Sequence, residues 1–209
     1  MTPRDYIKDP AEIYRQSFAT IEAEAELSSL PHWLQPMARR MIHACGMTDL
    51  AADLAWGGDP VDTAKAALAE AAPILCDAQM VASGIIRDRL KGNEILCLIG
   101  DDRVPDLARD LGTTRSAAQI ELWRDRLAGA VVVIGNAPTA LYHLIELIES
   151  GGPKPAALFA FPVGFVGARE SKDDLIAANL GIPYLTLRGR RGGSAIAAAA
   201  INALQDGMA

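Results

Sequence analysis

The sequence is short of the residues from which the common chemistries are built. Its 209 residues include three cysteines and three histidines. Cys45, Cys76 and Cys97 are an odd number at wide spacing, which makes no disulfide framework and suits a reducing cytoplasm. Neither these nor His32, His43 and His143 fall at metal-ligand spacing. There is no Walker lysine motif, and no Gly-x-Gly-x-x-Gly follows the first strand candidate, so phosphate-driven nucleotide binding lacks its loop. A Gly-x-Ser-x-Gly hydrolase elbow is missing too. Positive charge is scarce: 20 Lys and Arg face 26 Asp and Glu, a net charge of −6, which argues against nucleic acid or an anionic membrane as partner. Met1 to Asp9 is charged and lacks the apolar stretch of a secretory leader. The longest uncharged run, 127–145, is broken by Gly135-Asn136-Ala137-Pro138 and reads as strand, turn and helix rather than as a membrane span. A cytoplasmic protein of one domain, 1–209, is expected.

What is present divides into a helical start and a strand-helix alternation. Asp9-Pro10-Ala11-Glu12 predicts a capped helix with Glu12 reaching back to the cap, and Ile13, Tyr14, Phe18 and Ile21 as its buried stripe. A second helix is expected over 36–45 with Met37, Met41 and Ala44 on its apolar face, and a third from Asp59-Pro60 to about Ala71. From Pro73 onward, apolar runs at 74–76, 95–99, 131–134, 157–161 and 184–187 read as strands buried on both faces, as parallel strands are. Helices are expected between them near 77–86, 104–110, 115–127, 138–150, 169–179 and 193–204. This pattern predicts a three-layer α/β/α sandwich around a mainly parallel five-stranded sheet, with extra N-terminal helices.

Ligands of such sheets sit outside the carboxyl ends of the strands. That rule selects Asp77, 100–102, 135–139, 162–167 and 188–194. Three of the helix starts look suited to anions. Gly135-Asn136-Ala137-Pro138-Thr139 offers backbone amides and two polar side chains, Gly189 to Ser194 adds arginines, and Thr114-Arg115 opens another helix. Arginines outnumber lysines fifteen to five, which suits carboxylate or phosphate recognition. Turn glycines and helix caps explain each segment taken alone; together they favour a multiply anionic ligand. His43 is the one acid-base candidate with a helpful neighbour, because Arg40 lies three residues before it on the same side of a helix. By composition alone, a packed or capping His43 and a solvent-facing Ser17 are the simpler assignments.

Several blocks nevertheless resemble the precorrin-8X methylmutase family closely. They are Tyr14-Arg15-Gln16-Ser17-Phe18, Arg40-Met41-Ile42-His43-Ala44-Cys45-Gly46, Pro73 to Asp77, Thr114 to Ala118, Gly135 to Leu141, Pro162 to Ala168 with Glu170-Ser171-Lys172, and Arg188-Gly189-Arg190 with Gly192-Gly193-Ser194. They keep the family's order from residue 6 to about 204. The resemblance implies a flavodoxin-like fold, a homodimer with substrate near the subunit interface, and no metal or organic cofactor. It implies an isomerase of cobalamin biosynthesis that moves a methyl group from C-11 to C-12 of precorrin-8X, giving hydrogenobyrinic acid. Carried over residue by residue, His43 is the proton donor and acceptor, and Ser17, Arg40 and Arg115 are substrate-binding. Asn136, Thr139 and Ser194, on the two glycine segments, join them as substrate-binding candidates. The rivals are the cobalt-precorrin-8 enzyme of the anaerobic pathway, a corrinoid carrier without turnover, and a nucleotide-binding flavodoxin-like protein. His43-Ala44-Cys45-Gly46 resembles the aerobic type.

Overall fold

Capping residues set the helix starts in the computed structural model, which describes residues 4–205. The Asp9 carboxylate accepts from Ala11 N at the head of α1 (Pro10–Glu24), and Asp59 accepts from Asp62 N at the head of α3 (Pro60–Ala69). Between them, α2 (Gln35–Cys45) ends on Gly46, whose left-handed φ of 70° lets its N–H return to the Ile42 carbonyl. Glu12 does not close a capping box. It is drawn instead to Arg15 (2.6 and 2.8 Å) and Gln16 (2.7 Å), a charged partner one turn away.

The strands are β1 (Leu54–Gly57), β2 (Ile74–Cys76), β3 (Ile95–Leu96), β4 (Val131–Ile134), β5 (Ala157–Ala160) and β6 (Tyr184–Leu187). Their helices are α4 (Gln79–Gly84), α5 (Val104–Asp110), α6 (Arg115–Ala118), α7 (Arg124–Leu127), α8 (Pro138–Glu149), α9 (Ala168–Ala177) and α10 (Ser194–Leu204). The sheet has six strands in the order β1-β6-β5-β4-β2-β3. The five expected strands are all there and all parallel. Without β1 their order is that of a flavodoxin-like sheet, and its switch point falls between β2 and β4.

The sixth strand corrects the expected count. β1 is an antiparallel edge, pairing Leu54 with Leu187 through Gly57 with Tyr184. Four residues with no alternation give no strand signal. The pairing is made locally possible by Gly57, where a Cβ would lie 2.4 Å from the Tyr184 ring. At the other edge, β3 stops at Leu96 because only Ile74 and Leu75 face it, so Cys97 lies beyond the strand and is half-buried. The helix expected over 115–127 breaks into α6, a 3₁₀ turn at Gln119–Trp123 and α7. There the buried Gln119 amide donates to the carbonyls of Ser116 and Asp77.

Successive strand residues feed opposite cores, which explains the unbroken apolar runs. Cys76, Val131, Val133, Phe159 and Leu185 pack under α2, α3, α4 and α10. Leu75, Val132, Ile134, Leu158 and Ala160 pack under α8 and α9. On α2 the buried face is Met37, Ala38, Met41 and Ile42; Ala44, expected inside, is exposed. The α1 stripe departs further from expectation. Only Ile21 is buried, Phe18 is half-buried, and Ile13 and Tyr14 remain 48% and 46% exposed. Glu22 and Arg39 (2.6 Å) pin the end of α1 to α2, while Ile13 and Tyr14 nearer its start stay largely open. Among the described residues no helix is long and apolar enough to cross a membrane, and 127–145 is β4, a turn and part of α8.

Candidate active site

Ser17, Arg40 and His43 are brought together by the packing of α1 on α2. Tyr14, Ser17 and Phe18 share one face of α1, at helical spacings of three and four. Ser17 Oγ shares a 2.8 Å hydrogen bond with His43 Nδ1. The Phe18 ring stacks on the imidazole at 5.1 Å, inclined by 29°, and Tyr14 stands 6.0 Å away. The Arg40 guanidinium lies 5.9 and 6.0 Å from the Tyr14 and Phe18 centroids, within cation–π range. The imidazole is therefore fixed at Nδ1 and on one face. Nε2 has no hydrogen-bond partner among the described residues and is the nitrogen left for a ligand.

Arg40 and His43 border a shallow depression of about 260 Å³ whose floor is Ala44, Gly84, Ala195, Ala198 and Ala199. Asn202 staples its far side, accepting from Ile86 N and donating to the Gly84 carbonyl, both at 2.9 Å. At Gly84 a Cβ would lie 2.7 Å from that of Ala198, so α4 can meet α10 only without one. The result is a flat, apolar surface edged by a histidine and a guanidinium.

The switch point is arranged differently from expectation. The amides of Gly135, Asn136 and Ala137, read as an anion site, are already filled. The wholly buried Asp77 carboxylate accepts from all three, at 2.8, 3.0 and 2.8 Å. Burial pushes its carboxyl above the usual range, against the pull of these donors. A free carboxylate or phosphate has no amides left to bind there.

The remaining candidates do not join His43. Asn136 is exposed on the turn after β4. Thr139 Oγ1 bonds Thr114 Oγ1 (2.7 Å), placing Thr139 and the exposed Arg115 on the α6–α8 side of the sheet. Ser194 opens α10 beside the depression, but its Oγ is buried and has no hydrogen-bond partner among the described residues. Cys76 is fully buried, and burial pushes its thiol up, as befits packing rather than nucleophilic attack. His143, expected on the surface, is tied to Glu121 at 2.6 Å and is only 19% exposed. Among the described residues no three His, Cys, Asp or Glu side chains gather as a metal site. The Tyr14–Phe18 clamp was not foreseen, because an apolar i, i+4 pair reads as core.

Fold and site define a doubly wound α/β protein whose candidate acid-base group, the exposed His43, sits on added N-terminal helices, not in the nucleotide crevice. Comparison with known proteins narrows this class. The precorrin-8X methylmutase family model matches residues 12–206. A precorrin-8X methylmutase from Pseudomonas aeruginosa is 56% identical over 96% of this chain and 97% of its own. A cobalt-precorrin-8 methylmutase from Leptospira interrogans is 37% identical over 92% and 91%. The crystal structure of a precorrin-8X methylmutase from Thermus thermophilus superposes with a TM-score of 0.84 at 36% identity, covering 94% of this chain and 95% of that one. The chain belongs to the precorrin-8X methylmutase family, and is an isomerase of cobalamin biosynthesis.

Proposed function

We propose that this chain converts precorrin-8X into hydrogenobyrinic acid, with His43 as its acid-base group and Ser17 and Arg40 as the side chains that hold ring and substrate. The observation that carries this reading is the Ser17–His43 Nδ1 hydrogen bond, which leaves Nε2 for a ligand on a residue that borders the depression. In the acid step His43 Nε2 gives its proton to a ring nitrogen of the macrocycle. The methyl then moves with its bonding pair: the bond to C-11 breaks, the bond to C-12 forms, and the π system rearranges. The proton returns to Nε2, so the reaction is balanced without a further reactant. Throughout the cycle Nδ1–H donates to Ser17 Oγ, which accepts equally from imidazolium and neutral imidazole. The ring therefore need not reorient between the two transfers. Proton exchange near neutral pH suits imidazole, and holding the methyl over its receiving carbon supplies the rest.

Identity favours the metal-free substrate, at 56% to a precorrin-8X methylmutase against 37% to a cobalt-precorrin-8 one. The exposed stripe of Ile13 and Tyr14, with Ile7 and Tyr6 just before it, supports a homodimer in which a second copy covers α1 beside the site. On this reading one domain does the chemistry and the enzyme works in the cytoplasm.

His43→Ala tests the assignment. Single-turnover conversion of precorrin-8X should fall by about 10²–10⁴. Affinity for hydrogenobyrinic acid should fall by no more than the roughly 0.5–1.5 kcal/mol of one hydrogen bond. A near-parental single-turnover rate would remove His43 from the chemistry. A parent protein that binds the macrocycle and returns it unchanged would make the chain a carrier.

A further inference from the structure

A second depression, of about 390 Å³, opens at the carboxyl end of β6 between Asp53, α9 and the turn Arg188–Arg191. Four guanidiniums line it, and two are answered within the fold. Arg191 pairs with Asp49 (2.9 Å) and with Asp53, and Arg169 pairs with Asp173 (3.3 Å). Arg188 and Arg190 join no ion pair among the described residues, and both are exposed. Arg190 lies over the exposed Phe165 ring, 5.4 Å from its centroid, a contact that orients the guanidinium without neutralising it.

The turn that presents them is firmly built. Arg188 N donates to the Asp53 carbonyl (2.8 Å), and Gly164 N donates to the Arg190 carbonyl (3.3 Å). Beneath it Lys172, wholly buried, donates from Nζ to the Arg191 carbonyl at 2.6 Å. Next to it, a Cβ at Gly192 would lie 2.2 Å from the Phe161 carbonyl oxygen, so the chain presses directly on the end of β5. A buried ammonium is an expensive way to hold a solvent loop; a binding wall gives it a reason. The cleft also lies on the side of the His43 site: Arg191 pairs with Asp49, six residues past His43, and leads within four residues to Ala195 on the floor of the depression.

We infer that this cleft is a carboxylate subsite, in which Arg188 and Arg190 hold carboxylate arms of the macrocycle whose ring lies at His43, an assignment that rests on the macrocycle reading above. Planar guanidiniums take carboxylates two-pronged, and they keep their charge at any pH the enzyme meets. An arm far from the reacting carbons is the same in substrate and transition state, so its contacts act on binding and not on the chemical step.

The test titrates hydrogenobyrinic acid into the parent, Arg188→Ala, Arg190→Ala and the double variant, with inorganic phosphate as competitor, and measures single-turnover and steady-state conversion. Both side chains are exposed, so the variants should fold. Each single change should weaken product binding by about tenfold and the double change by about a hundredfold. KM should rise in step while kcat changes by less than about threefold. Product affinity within twofold of the parent in the double variant overturns the subsite. So does a kcat loss without a KM rise, or phosphate that binds at the arginines without competing with hydrogenobyrinic acid. A parent that binds no hydrogenobyrinic acid overturns the macrocycle reading itself and the subsite with it, and is distinguished by needing no variant.

Discussion

Asp77→Ala tests how the carboxyl edge is held. The substitution strands three backbone N–H groups that now donate to one carboxylate at 2.8–3.0 Å; Gly135 and Ala137 are buried and Asn136 is exposed. An unsatisfied buried donor costs about 1–3 kcal/mol, so two buried donors and one wetter one sum to roughly 3–6 kcal/mol. Removing the buried charge returns part of its desolvation cost. A net loss of about 2–4 kcal/mol is expected, a large share of the 5–15 kcal/mol typical of a domain. Urea unfolding measures it directly as a lower midpoint at unchanged slope. The vacated nest opens at the head of the twelve-residue α8 and has the shape of the lost carboxylate. Acetate should therefore raise the melting temperature of Asp77→Ala and leave the parent unmoved, by the usual linkage of a ligand that binds only the folded state. A variant within 0.5 kcal/mol of the parent, or acetate acting equally on both, would refute the idea that Asp77 holds the turn.

Three further outcomes follow from the geometry. Ser17→Ala should lower kcat by about 2–10-fold, the value of one neutral hydrogen bond, with Ser17→Thr restoring part of it; steady-state kinetics that shift only KM would contradict an orienting role. Burial pushes the Lys172 ammonium down to about 8 from 10.5. Its folded value lies below its unfolded one, so between these pH values the unfolded chain binds more protons and stability rises with pH. The parent should gain on Lys172→Met across that window in urea titrations, and a constant difference would show that Lys172 titrates normally. Ile13→Asp, which charges the exposed stripe of α1, should yield a monomer by sedimentation velocity if a second copy covers it; an unchanged parental dimer would place the interface elsewhere.

The doubly wound part of the molecule was legible because its signals are local. Runs such as Val131 to Ile134 are apolar without alternation, and only burial on both faces accommodates that. Pro138 and the Asp9 and Asp59 caps mark helix starts by chemistry that acts within one turn. What escaped depends on partners remote in the chain. Leu54 to Gly57 becomes a strand only because Tyr184 to Leu187 offers it a free edge. Helical periodicity correctly grouped Tyr14 with Phe18, yet periodicity reports that residues share a face and not whether anything covers it. The covering partner here includes His43, 25 residues after Phe18, and the pair became a clamp rather than core. The site residues were legible chiefly through the family resemblance. Spacing placed Arg40 beside His43, but nothing within the sequence pattern linked either to Ser17.

The failure of the switch-point rule explains where the chemistry went. In a flavodoxin-like sheet the crevice between the two central strands, with its helix amino end, is the natural place for a phosphate. Here Asp77 at the end of β2 reaches across to the amides following β4 and closes it with the chain's own carboxylate. At Gly135 there is no space for even a Cβ, which would meet Val81 at 2.7 Å and Ala197 at 2.8 Å. A macrocycle is broad and flat, and a crevice two strands wide could not admit one even if it were open. The added helices provide what the crevice cannot. α10 turns Ile196, Ala197, Ala200 and Ile201 into the core and lays Ala195, Ala198 and Ala199 beneath the depression. The alanines let α4 and α2 close on α10 while leaving no side chain tall enough to break the surface. On the reading proposed above, the Ala-rich run that looks featureless in the sequence is what makes room for a ring, and His43 of α2, held by Ser17 of α1, is the proton donor at its edge.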